Sequence, residues 1–130
     1  MILHTARVSC RDPDALDITR GSADKALRAR KAAPGEFLAP SAQLVFPTLR
    51  ALREAASGGE REAIWAGYVA AYRAEMLTSW KLRRAEWEAL LRRPRVVLCC
   101  FCADPQRCHR TLAAGFLGKL GADYRGESQR

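Results

Sequence analysis

The chain has 130 residues, of which 48% are hydrophobic and 28% are charged, and this length predicts one domain spanning residues 1–130. The sequence contains no apolar run long enough to cross a bilayer. Its first ten residues, MILHTARVSC, lack the basic and apolar segments of an export signal, so we expect no membrane partner. Five cysteines, four of them within ten residues, indicate a reduced, cytoplasmic protein.

The net charge is +8, from 22 basic and 14 acidic residues, and a basic protein often has a phosphate-bearing partner. The basic residues are spread over predicted helices. They form no block of five like charges and lack the interleaved aromatic residues of single-strand-binding surfaces. These features favour an anionic small molecule over nucleic acid. A nucleic-acid-associated module without catalysis stays open as the alternative.

The residue pattern of the N-terminal third predicts two short strands followed by a long loop. Residues 2–9 alternate in polarity, the turn-rich link CRDPDA follows, and residues 16–19 form the second strand. The link is too short for a helical crossover, which leaves the relative direction of the two strands open. Residues 20–35 are polar without an apolar period, and loops of this length are often functional.

Three helices are predicted next. The turn LAPS opens the first, with Ser41 as N-cap, and the glycine pair at 58–59 is expected to end it. The second helix spans about 60–77, and its buried stripe includes Tyr68, Tyr72 and Met76. The third spans about 81–91.

The C-terminal third contains the clearest strand. Residues 95–102, RVVLCCFC, are a continuous apolar run, typical of a strand buried on both faces. Asp104 and Pro105 predict a helix start, and that helix ends at Gly121, before a short last strand around ADYR. Strands and helices alternating in this way predict an α/β fold with a small, mostly parallel central sheet flanked by helices.

The segment CCFCADPQRCHR, residues 99–110, contains the candidate chemistry. Ligands of α/β proteins bind at the carboxyl ends of the strands, where a helix N-terminus favours negative charge. Arg107 and Arg110 add guanidinium groups suited to phosphate or carboxylate. The apolar stripe of the last helix, extended backwards, turns Cys108 and His109 towards the sheet. Cys108 is therefore a candidate nucleophile and His109 a candidate general acid–base.

Zinc is the alternative explanation of the same segment. Its candidate ligands are Cys100, Cys102, Cys108 and His109, because the first two share one face of a strand. Cys108 and His109, however, are consecutive, and neighbouring side chains on a helix diverge by about 100°. The usual spacing of zinc ligands is also missing. No cofactor is therefore predicted, with zinc kept as the alternative.

Several short motifs resemble the DUF488 family, whose members are usually described as uncharacterised. They are the first-strand T-x-R, the I-T-R that ends the second strand, the L-A-P-S turn, the paired helix tyrosines and the C-H-R at 108–110. The resemblance implies a compact, Rossmann-like α/β domain and no particular reaction. It also draws attention to Arg7 and Arg20, which end the first two motifs.

These observations predict an enzyme or binder of an anionic small ligand, with a nucleotide as one candidate. The ligand would lie over the start of the last helix. The predicted catalytic residues are Cys108 and His109. The predicted ligand-binding residues are Arg7, Arg20, Ser41, Cys102, Arg107 and Arg110.

Overall fold

The computed structural model of the protein describes residues 1–20, 33–101 and 105–128. Its strands are β1 (Ile2–Arg7), β2 (Ala15–Asp17), β3 (Ala33–Pro34), β4 (Arg95–Cys100) and β5 (Asp123–Glu127). Its helices are α1 (Ala42–Glu54), α2 (Gly58–Leu82), α3 (Arg84–Leu91) and α4 (His109–Lys119), with 3₁₀ turns at Glu36–Leu38 and Pro105–Arg107. Within these ranges, no helix combines the length and the apolar character needed to span a bilayer.

The five strands form one sheet in the order β3-β2-β4-β1-β5, and every neighbouring pair is parallel. The apolar strand β4 lies at the centre, as its uninterrupted hydrophobic sequence predicts. The α/β class with a small parallel sheet is therefore confirmed. The finer term, Rossmann-like, stays a prediction.

The first two strands are parallel although their link is short. Both pair with β4: Arg7 lies opposite Cys100, and Ala15 lies opposite Val97. The link over residues 8–14 therefore returns along three residues of β4, about 10 Å, and also crosses that strand, a further distance of about 10 Å or two strand spacings at right angles. Seven residues can cover that distance without a helix, which settles the open direction of β2.

The two faces of the sheet are covered differently. Leu98 and Cys100 of β4 lie in a core cluster with residues of α2, α3 and α4. Val97 and Cys99, on the opposite face, cluster with Cys10 of the β1–β2 link and with neighbouring strand residues. Among the described residues, the buried helical side chains thus all belong to one face.

The glycine pair at 58–59 begins a helix, so its predicted role as a helix stop is wrong. Ser57 is the N-cap of α2, and its Oγ accepts the backbone N–H of Glu60 at 3.1 Å. The serine satisfies a backbone donor that the first turn leaves without a partner, which allows the helix to begin at Gly58. The helix then continues to Leu82, beyond its predicted end.

The predicted stripe Tyr68, Tyr72 and Met76 on α2 is confirmed as core. Ser79, one turn further along, connects three elements. Its Oγ donates to the Phe37 carbonyl at 2.6 Å and accepts the indole N–H of Trp87 at 3.0 Å. Trp87 lies on α3 and is only 1% exposed. The Ser79 hydroxyl is therefore the acceptor that its buried indole N–H requires.

Replacing Ser79 with alanine removes the partners of the Phe37 carbonyl and the Trp87 indole together. We expect the free energy of unfolding to fall by about 2 kcal/mol, the cost of buried polar groups without partners. Urea unfolding measures it. The neighbouring Thr78→Ala is the matched control, because Thr78 is exposed and bonds only along its own helix to Ala74 in the described contacts. Equal stability of the two variants would contradict the bridging role.

Candidate functional site

Two buried cysteines meet where β4 ends and α4 begins. Cys100 is the last residue of β4, and Cys108 is the N-cap of α4. Each is 1% exposed, and neither forms a disulfide. The S–H of Cys108 donates to the Sγ of Cys100 at 2.8 Å. The sulfur pair therefore joins the end of β4 to the start of α4.

His109 lies beside the sulfur pair and is also buried. Its Nε2 is 2.6 Å from the Ile18 carbonyl, and because a carbonyl only accepts, Nε2 must carry the proton. In the neutral ring Nδ1 then keeps a lone pair, and this atom lies 3.4 Å from the Sγ of Cys100. The histidine thus directs an acceptor nitrogen towards sulfur.

The last helix begins later than predicted. Pro105 starts a 3₁₀ turn, and the α-helix starts at His109 after an extended Cys108 with φ −142° and ψ 143°; Asp104 lies outside the described residues. The 100° separation of helical neighbours therefore does not apply to Cys108 and His109, and their expected divergence is wrong. One ligand atom from each of Cys100, Cys108 and His109 lies within 4.8 Å of the other two.

Arg110 lies behind Cys108 with its side chain fully buried. Its Nη1 donates to the Sγ of Cys108 at 3.4 Å, and its Nε and Nη2 donate to the Glu127 carboxylate at 3.2 and 2.7 Å. Thr5 donates to the same carboxylate and lies 2.7 Å from the Tyr124 hydroxyl. This network supplies the negative partner that a buried guanidinium requires.

The network also changes the ionisation of its members. Burial raises the pKa of Glu127, but the hydrogen bonds from Arg110 and Thr5 outweigh it, so the pKa lies below its usual value. Burial lowers the pKa of Arg110, and the bond to Glu127 with the nearby sulfurs reverses this and raises it. Burial raises the pKa of Tyr72, near the two cysteines, well above its usual value. The pair Arg110–Glu127 is therefore ionised at neutral pH.

A cavity of about 560 Å³ opens above the sulfur pair. Its wall contains four arginines and an aromatic group that includes a stacked Trp65–Tyr68 pair with ring centroids 5.0 Å apart. None of the described lining residues is acidic. The lining includes the arginines Arg7, Arg20, Arg53 and Arg107, the aromatic residues Trp65 and Tyr68, and the cluster of Cys100, Cys108 and His109.

A family model described as the active DUF488-N3 subclade matches residues 19–121. The chain belongs to the DUF488 family. The match covers most of the chain, including β4 and the Cys-His-Arg segment, and confirms the resemblance seen in the motifs. Neither the curated proteins nor the solved structures contain a significant match to this DUF488 domain.

Three of the predicted ligand-binding arginines line the cavity of this DUF488 domain: Arg7, Arg20 and Arg107. Arg20 donates from Nε to the Pro40 carbonyl at 2.9 Å and lies 3.5 Å from the Glu36 carboxylate. Arg107 pairs with Glu62. Both carboxylates are more than 60% exposed, and ion pairs of this kind are weak. These guanidinium groups can therefore exchange partners for a ligand.

Two of the other predicted ligand-binding residues, Ser41 and Arg110, are not part of the described cavity wall. Ser41 donates from its backbone N–H and its hydroxyl to the Glu75 carboxylate at 2.8 and 2.5 Å, which holds the start of α1 against α2. Arg110 lies behind Cys108 and donates to its sulfur. Cys102 lies outside the described residues. Ligand contacts by these three stay predictions.

Sequence reasoning missed the cavity wall and the partner of Arg110. Trp65 and Tyr68 have the spacing of a core stripe, which does not distinguish a buried face from a cavity wall. Phe46 and Leu49 of α1 are 45% and 41% exposed and line the cavity. The helix α1 is amphipathic, yet none of its residues is fully buried. An apolar side left exposed in this way indicates a cavity wall, but it is visible only in the structure. Glu127 is 17 residues from Arg110, so no local pattern connects them.

Replacing Glu127 with glutamine leaves the buried Arg110 charge without its carboxylate. We expect the free energy of unfolding at pH 7 to fall by about 3 kcal/mol, the lower end for a broken buried pair, measured by denaturant unfolding. Glu88→Gln is the control, because Glu88 is exposed on α3.

The same pair of proteins gives a pH test. Because the folded pKa of Glu127 is lowered, its contribution is present above the unfolded value and is lost as the pH falls through the folded value. The stability difference between wild type and Glu127→Gln should therefore shrink below about pH 4. A difference that stays constant down to pH 3 would contradict the ionised pair.

Proposed function

We propose that this DUF488 domain is an enzyme or binder of an anionic small molecule, which it holds in the arginine-lined cavity. One observation carries the proposal: the cavity combines four guanidinium groups with a buried sulfur pair and, in the described part of the chain, no acidic lining residue. Such a cavity attracts negative charge and places it next to a chemically reactive group.

Three of the four arginines lie at one edge of the sheet, and the fourth, Arg53, lies on α1. Arg7 ends β1, Arg20 follows β2, and Arg107 precedes α4. This is the carboxyl edge, where ligands of parallel α/β sheets and of Rossmann-like folds bind. Guanidinium groups that converge from separate elements suit a phosphate or carboxylate, because each can donate two parallel hydrogen bonds.

The aromatic wall supports a ligand that also contains a planar ring. Trp65 and Tyr68 are stacked, with an angle of 19° between their rings, and both line the cavity. A volume of about 560 Å³ lies within the usual range for small-molecule sites. A nucleotide, which joins a ring to a phosphate, is the ligand class that we propose first.

Cys108 is the proposed reacting group of the metal-free protein. The guanidinium of Arg110 donates to its sulfur, and a cationic donor beside a cysteine favours the nucleophilic form. Both ring nitrogens of His109 already have partners, Ile18 and Cys100. Its proposed acid–base role would therefore act through Nδ1 at the sulfur pair, and not directly on a ligand in the cavity.

Trp65 provides a signal for ligand binding. We expect adenosine and guanosine phosphates to quench its fluorescence, and Arg7→Gln to weaken their binding about tenfold, the effect of one charged hydrogen bond. Arg73→Gln is the control, since Arg73 is exposed on α2. Trp65→Phe should remove the signal. Equal affinity of the Arg7 and Arg73 variants would contradict the proposal, and binding of oligonucleotides alone, steeply weakened by salt, would support the nucleic-acid alternative.

Limiting iodoacetamide tests the thiol. In chelator-treated, reduced protein at neutral pH we expect Cys108 to be labelled before Cys99 and Cys10, because only Cys108 of these three lines the cavity. Peptide mass mapping locates the label. Cys108→Ser should lose the fast labelling and Cys99→Ser should keep it. Labelling at equal rates in both variants would contradict a reactive Cys108.

A further inference from the structure

We propose that Cys100, Cys108 and His109 bind one zinc ion and leave one coordination position open towards the cavity. The inference deepens the proposed function: the anionic ligand that would reach the ion is the one proposed for the cavity. The ion site itself is argued from the three buried side chains, and its test does not depend on that ligand.

The donor set and its dimensions suit zinc. Two thiolates and an imidazole are typical zinc ligands, and one ligand atom from each lies within 4.8 Å of the others. Ligands about 2.3 Å from a tetrahedral ion lie about 3.8 Å apart. The Nδ1 of His109 is 3.4 Å from the Cys100 sulfur. The two sulfurs, 2.8 Å apart, would need to separate by about 1 Å to bind the same ion.

The orientation of His109 is that of a metal ligand. Zinc-bound histidines donate their second ring N–H to a carbonyl or carboxylate, which fixes the tautomer and turns the other nitrogen to the ion. Here Nε2 donates to the Ile18 carbonyl at 2.6 Å. Nδ1 consequently faces the sulfur pair with its lone pair, in the protonation state that zinc binding requires.

A bound ion would change the contacts of the sulfur pair. Without it, the S–H of Cys108 donates to the Cys100 sulfur at 2.8 Å. Arg110 donates from Nη1 to the Cys108 sulfur, and its Nη2 pairs with the Glu127 carboxylate. A divalent ion would neutralise the two thiolates, and the Arg110 bond would remain as an outer contact to one of them.

In the described part of the chain the candidate ligands are these three, and all of them line the cavity, as a site with an open position requires. Structural zinc sites have four protein ligands, whereas catalytic sites have three and leave a position for water or substrate. An oxygen of an anion held by Arg7, Arg20 or Arg107 is the kind of group that an open position on zinc would accept.

Cobalt(II) tests the site in the full-length protein. The chain is reduced, stripped with chelator, desalted without oxygen and titrated with Co²⁺. We expect one equivalent to bind with an intense thiolate-to-cobalt charge-transfer absorption, and zinc to displace it. Absence of that absorption, or absorption that zinc leaves unchanged, would overturn the proposal.

Variants assign the ligands. Cys100→Ala, Cys108→Ala and His109→Ala should each weaken or abolish the cobalt absorption, whereas Cys99→Ala should keep it. Cys99 is the matched control for Cys100, because it is the adjacent residue on the opposite face of β4. A spectrum that the Cys108 variant shares with wild type would reject the ligand set.

Protection of the wild-type thiols needs no variant to fold. Zinc should protect Cys100 and Cys108 from alkylation and leave the labelling of Cys10 and Cys99 unchanged; equal labelling with and without zinc would overturn the site. The Trp65 titration, run with chelator and with zinc, separates the two proposals. Nucleotide binding without a cobalt signal would reject the ion alone, and a cobalt signal without nucleotide binding would support the ion and reject the nucleotide.

Discussion

The site depends on one buried cation. Arg110 places a fully buried guanidinium between the Glu127 carboxylate and the Cys108 sulfur. A buried charge of this kind is stable only when it is paired and hydrogen-bonded. Glu127 ends the edge strand β5, and Thr5 of β1 donates to it. The same contact therefore holds the sheet edge, the start of α4 and the position of one sulfur.

The sheet decides which cysteines can take part in chemistry. Successive residues of a strand point to opposite faces, so Cys99 packs against the β1–β2 link while Cys100 faces α4. Burial raises the pKa of Cys99, and this residue is not part of the described wall of the cavity that Cys100 lines. Two adjacent, chemically identical residues thus differ entirely in environment because of the pleat.

The sequence was informative where a signal is local. The apolar run predicts β4, and the tyrosine stripe predicts the buried face of α2. The start of α4 was misplaced because Asp104-Pro105 satisfies the usual capping preferences, whereas Cys108, the actual N-cap, makes no side-chain capping bond. The Arg110–Glu127 pair joins residues 17 positions apart on two elements, a contact that no local spacing encodes. Cys100 and His109 were both candidate ligands, but a helix starting at Pro105 gave the wrong orientation for His109 relative to Cys108.

The strand order has a consequence for how the chain folds as it is synthesised. β1 emerges first, yet both strands that it pairs with, β4 and β5, lie beyond residue 94. The N-terminal strand must therefore wait, with its hydrogen-bonding groups open, until nearly the whole domain has left the ribosome. Such long-range pairing slows folding and leaves strand edges exposed to other chains in the meantime.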